Sequence, residues 1–165
     1  QIGDEVRIKV VAFEQRHARA FHDLNVAWIE QFFKMEEKDR LLLEQPQEKI
    51  IEAGGHILIA EDDNGAAIGC VSLVPYSEGV LELAKMAVGN DLQGKGVGSK
   101  LMAATVAKAR ELGVKALYLE SNSQLGPAVR LYERTGFHHL TADRRPTSPY
   151  ERADVFMRLD LESAS

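Results

Sequence analysis

Gln93-Gly94-Lys95-Gly96-Val97-Gly98 separates a β-prone run over residues 80–88 from an amphipathic helical repeat over 99–113. Three glycines at alternate positions let the backbone come close to a ligand and take up positive φ. The helix that follows offers unpaired N–H groups and a partial positive charge at its first turn. Together they make an anion site of phosphate size, with Lys95 and Lys100 adding charge. The spacing fits neither a Walker loop nor a dinucleotide fingerprint.

Working outward, the helix over 99–113 carries Met102, Val106 and Ala109 at helical spacing and stops at Gly113. A strand over 116–120 follows, so the strand–helix–strand unit predicts a parallel pair. Pro127 opens a short helix that Gly136 ends. Closing strands are expected over 137–140 and 154–161, around a polar loop that holds Arg144, Arg145, Tyr150 and Arg152. Upstream, two apolar runs over 56–61 and 66–73 flank Asp62-Asp63-Asn64-Gly65, a hairpin signal. Residues 75–79 read as the next turn, which makes 56–88 an antiparallel meander. A first strand spans 6–13. Phe21, Leu24, Trp28, Phe32 and Met35 mark one helix, read as core-facing, and 37–44 a second, stopped by Pro46. The order predicts a mixed α/β architecture: about seven strands in one mostly antiparallel sheet, with helices on both faces. Residues 1–165 are expected to form one domain.

The composition is that of an ordinary globular chain, with 20 Lys+Arg against 25 Asp+Glu. A net charge of −5 argues against a nucleic-acid partner. Residues 80–136 carry eight basic and five acidic side chains, which leaves a basic segment in an acidic chain. No apolar run is long enough to span a membrane, and no leader pattern is seen. The one cysteine, Cys70, excludes an internal disulfide and points to a reducing, cytoplasmic setting. It reads as a packing residue. His17, His22, His56, His138 and His139 show no metal spacing, so no metal is expected.

The stretch from Gln93 to Gly98 resembles the pyrophosphate loop of the GNAT superfamily of acyl-CoA-dependent N-acyltransferases. Leu131-Tyr132-Glu133-Arg134-Thr135-Gly136-Phe137 matches that superfamily's second signature. The resemblance is firmest over residues 56–140. It implies an N-acetyltransferase that uses acetyl-CoA as acyl donor and a primary amine as acceptor, either a small molecule or a peptide or protein. The backbone of Met86, Ala87 and Val88 would pair with the pantetheine arm, and the Val88 N–H would face the acyl oxygen. Gln93, Gly94, Lys95, Gly96, Val97, Gly98 and Ser99 would cradle the pyrophosphate. Asn122 and Tyr132 would flank the thioester. Many members carry Asn seven residues before the tyrosine, where this chain has Leu125.

Within that reading Glu82 is the candidate base, although an ordinary glutamate with pKa about 4.3 is a poor one unless buried. Tyr132 is the candidate donor to the leaving sulfur. Proton transfer from a tyrosine of pKa about 10 to a thiolate of about 8.5 is uphill by about 2 kcal/mol, which favours a hydrogen bond. The first helices wall the acceptor site by the same resemblance, with Trp28, Glu30 and Phe33 facing substrate. Tyr150 and Arg152 form its rim, which suits an acceptor that also carries a carboxylate or phosphate. No nucleophile with a base partner is visible, so direct attack in a ternary complex is expected. Two rivals stay open: a non-catalytic acyl-CoA-binding module on the same fold, and a phosphate- or nucleotide-binding protein. Open sheet edges leave room for a homodimer.

Overall fold

The structure is a computed structural model that describes residues 7–161. Position 6 of the expected first strand, and 162–165, lie outside the described residues. Seven strands form one open sheet: β1 (Lys9–Ala12), β2 (His56–Glu61), β3 (Ala67–Ser77), β4 (Val80–Val88), β5 (Ala116–Ser121), β6 (His138–His139) and β7 (Val155–Asp160). Their order is β1-β2-β3-β4-β5-β7-β6. β4 and β5 are parallel and the other neighbours antiparallel.

Because strand side chains alternate, the sheet has two apolar faces. Leu58, Val71, Leu73, Leu83, Leu117, Leu119 and Met157 pack against Val97, Leu101 and Met102 of α3 (Val97–Leu112) and Tyr132 of α4 (Gly126–Thr135). Ile57, Ile59, Cys70 and Ala87 pack against Phe21 and Ile29 of α1 (Ala18–Phe32) and Leu43 of α2 (Glu37–Glu44). Each fully buried aliphatic side chain contributes about 1.5–3 kcal/mol. Gly69 lets α3 lie close: a Cβ there would stand 2.9 Å from Val97 and 3.0 Å from Leu101.

Two expectations need correction. Of the set read as core-facing, Phe21 is fully buried and Leu24, Trp28 and Met35 are partly buried against the same core, but Phe32 is 38% exposed, and Asn25 and Ile29 complete the buried stripe of α1. Trp28 and Phe33 pack against the edge of that core and line a cavity as well. β3 also continues past Pro75, so the turn shrinks to Glu78-Gly79. β2 stops pairing at Leu73, which leaves β3 with one partner at Pro75, where a missing N–H costs no ladder bond.

Two irregularities of β4 create the site. β4 pairs with β5 only over Val80, Leu81 and Glu82, although both strands run on. They part beyond that point. Between the pairs Ser72–Ala84 and Cys70–Ala87, β3 supplies one residue and β4 two, Lys85 and Met86. This is a β-bulge, with Lys85 at φ +54, the one positive-φ non-glycine residue among those described.

Candidate active site

Gly89 N–H donates to the Ile68 carbonyl at 2.9 Å. That makes the neighbouring Gly69–Val88 pair a non-hydrogen-bonded one, so the Val88 N–H and C=O point away from β3. They point to the side that β5 has left, ready to pair with an extended ligand. After Val88 the chain makes a short turn at Asn90–Leu92 and reaches α3 through Gly94 and Gly96, at φ +82 and +86. A Cβ at either glycine would meet nothing within 4 Å, so space above the loop is open. Lys95 and Ser99 are exposed beside it and Gly98 is half-buried, whereas Val97 turns into the core. Gln93 Nε2 donates to the Val88 carbonyl at 3.4 Å.

Where the strands part lies a cavity of about 470 Å³. Asn25, Trp28 and Phe33 wall it from the α1 side, Lys38 and Leu42 from α2, and Tyr150 and Arg152 from the loop before β7. Glu82, Met86, Asn122, Leu125 and Tyr132 line it too. Glu30, expected to face substrate, is exposed and outside the lining. Both ends of the Asn122 amide are engaged by backbone, donating to Arg152 O at 2.6 Å and accepting from Gln124 N at 2.7 Å. Asn25 donates to the Phe21 carbonyl at 2.9 Å, which fixes its orientation and leaves Oδ1 without a protein donor among the described residues.

Glu82 accepts no hydrogen bond among the described residues. Its neighbour Glu120 accepts from Tyr118 at 2.8 Å and Ser148 at 2.5 Å. Burial, reinforced by the negative charge of Glu120, pushes the Glu82 carboxyl up to about 7. Tyr132 meets Phe137 edge-on with centroids 6.1 Å apart, and burial pushes its hydroxyl up to about 12. Burial also raises the Cys70 thiol to about 12, and Asn25 donates to its sulfur at 3.3 Å. Cys70 is therefore an inert packing residue.

The sequence reading missed a buried ion network. Asp39 (0% exposed) accepts from Lys85 at 2.5 Å, from Arg152 at 2.8 and 2.9 Å and from the Glu36 N–H at 2.9 Å. Arg152 also donates to Glu36 at 3.2 Å and stacks 4.4 Å over the Tyr150 ring, whose hydroxyl is 3.0 Å from Lys85 Nζ. Burial pulls the Asp39 carboxyl upward, but Arg152 and Lys85 outweigh it and hold it at about 2. The network pins α2 and the last loop to the bulge. The available signal was a lysine set among apolar residues of a strand, Ala84-Lys85-Met86.

Among the described residues no group of three His, Cys, Asp or Glu side chains could hold a metal, and no helix is long and apolar enough to cross a membrane.

The model of the acetyltransferase (GNAT) family matches residues 15–137. An uncharacterized N-acetyltransferase of Schizosaccharomyces pombe is 31% identical over 124 residues, 72% of each chain. A GNAT-family acetyltransferase of Staphylococcus aureus superposes with TM-score 0.85 at 17% identity, over 94% of this chain and 100% of the other. YncA of Salmonella typhimurium, solved with its cofactor acetyl-CoA, superposes with TM-score 0.72 at 20% identity, over 96% of each chain.

Proposed function

The chain belongs to the acetyltransferase (GNAT) family and is an acyltransferase, and on that premise we propose that it transfers acetyl from acetyl-CoA to a primary amine by direct attack. The observation that carries this reading is Glu82: a carboxyl in the cavity wall, free of hydrogen bonds among the described residues and raised to about 7.

A lysine-like amine is protonated at neutral pH, and its neutral form costs roughly 4.6 kcal/mol at pH 7. Glu82 serves as the base, directly or through water. Raising its pKa from the usual carboxylate range lowers the cost of that proton transfer by about 3 kcal/mol.

The acyl donor supplies an activated thioester, and the chain's residues hold it. Met86 and Val88 lie where β5 has left β4, and the Val88 N–H, turned away from β3, is offered to the pantetheine arm. Gln93, Gly94, Lys95, Gly96, Gly98 and Ser99 hold the pyrophosphate at the start of α3, through backbone N–H groups and open space. The Val88 N–H donates to the acyl oxygen. Tyr132 donates a hydrogen bond to the sulfur and keeps its proton. With its hydroxyl near 12 against about 8.5 for a thiol, full transfer is uphill by about 5 kcal/mol. Cys70 is too buried for a covalent relay, which supports direct attack.

The test is kcat/KM against pH for the parent and Glu82→Gln. The parent loses activity below about pH 7. Glu82→Gln loses about 10²–10⁴-fold and the acidic limb with it, while acetyl-CoA still raises its melting temperature. Full activity with the limb retained would remove Glu82 from the role.

A further inference from the structure

The charges buried beside the cavity are satisfied by the protein itself. Asp39 is held by Lys85 and Arg152, Arg152 is shared with Glu36, and Glu120 accepts from Tyr118 and Ser148. Arg152, expected to greet an anionic group on the substrate, has its guanidinium N–H groups turned to Asp39, Glu36 and the Lys34 carbonyl. Two other cations line the same cavity with no ion pair or hydrogen bond among the described residues: Lys38 and Lys49. Lys38 lies one helical turn before Leu42, which lines the cavity as well, and Lys49 lies on the next turn, Gln47–Ile51. Both are exposed, at the mouth. The wall formed by the sheet carries Glu82 and Glu120. The cavity is thus bipolar, with acids on the sheet, unpaired ammonium groups on the α2 side, and the half-buried rings of Trp28 and Phe33 lining it.

From this arrangement we infer that the acceptor is a small zwitterion: a primary amine that also carries a carboxylate or phosphate. Its amine is received at Glu82 and its anionic group at Lys38 and Lys49. The inference rests on the acetyltransferase reading above. About 470 Å³ suits a small molecule. A polyamine would bring its second ammonium to two lysines, so the same mouth that attracts an anion rejects a cation.

The experiment compares thiol release at saturating acetyl-CoA for amines of similar length. Glycine and β-alanine are the carboxylates, phosphoethanolamine the phosphate, ethanolamine the neutral control and 1,3-diaminopropane the cation. Two exposed ion pairs together are worth about tenfold, so at least one anionic arm exceeds ethanolamine in kcat/KM by about that factor, and the diamine is poorest. Which anionic arm leads separates carboxylate from phosphate. In the Lys38→Glu/Lys49→Glu double variant the ratio of anionic to neutral kcat/KM collapses toward one, through KM, and the diamine gains. Equal or better turnover of the neutral or cationic amines by the parent overturns the inference and leaves the acetyltransferase standing, as does a preference that survives the double variant. No thiol release with any of the five amines overturns the inference, and no thermal shift with acetyl-CoA overturns both.

Discussion

Of the buried polar side chains among the described residues, only Thr105 belongs to the α3 face of the sheet, and its hydroxyl is returned to its own helix at Leu101. The rest are His17 and Glu61, paired with each other, and Asn25, Asp39 and Ser72 on the α1 face, with Lys85 and Arg152 drawn in against Asp39. One face is an apolar core ending in a glycine loop whose ligand-facing groups are main chain. The other gives up apolar packing near the cavity to hold charged side chains at set places. Main-chain sites depend on local conformation. Side-chain sites depend on distant residues meeting, and each charge left without its partner is costly.

Four changes would break or sharpen that contrast, from the largest effect down. Asp39→Leu strands Lys85 and should cost about 3–5 kcal/mol in urea unfolding, with much of that regained when Lys85→Met is added. An additive double variant would show that the pair is not coupled. On the apolar face Leu101→Ala should cost about 3 kcal/mol while KM for the amine stays put, and a moved KM would mean the faces communicate. Third is pH. The Glu82 carboxyl is raised in the folded state, so the protein loses stability as pH climbs from its unfolded value toward about 7. Glu82→Gln should match the parent below about pH 4.5 and be more stable above pH 7, on the order of 1–3 kcal/mol. Asp39 has the opposite sign, since its contribution is present above about pH 4 and fades as pH falls toward 2. Melting curves across pH separate the two. Smallest is Gly94→Ala, where φ +82 costs about 1 kcal/mol in the folded state. Its reading is a reduced thermal shift with acetyl-CoA, and an unchanged shift would take the loop out of donor binding.

The same contrast explains what could be read from the sequence. β2, β4 and α2 fall on their expected bounds, 56–61, 80–88 and 37–44, because alternation, Pro46 and the flanking turns act within a few residues. The glycine loop and the Tyr132 helix are equally local. On α1 the apolar period picks out Phe21, Leu24, Trp28 and Met35, but not the buried Asn25, whose sulfur partner lies 45 positions away. Asp39, Lys85 and Arg152 lie 46 and 113 positions apart along the chain, beyond any periodicity. Glu82 was legible as a strand carboxylate, but the burial that raises its pKa comes from tertiary packing, and Glu120, which adds to it, sits on the next strand past an entire helix.

β7 is the last of the described strands along the chain yet lies between β5 and β6. The consequence is one of timing. β1 to β4 and α3 can assemble while the C-terminal segment is still being made, since their contacts are already in hand. β5 keeps an open edge until Val155–Asp160 arrives, and Arg152, three residues ahead of that strand, reaches Asp39 in the same step. A chain halted just short of β7 therefore shows neighbouring molecules a bare strand edge while its acceptor wall is unpinned, and a bare edge of that kind invites pairing with another chain.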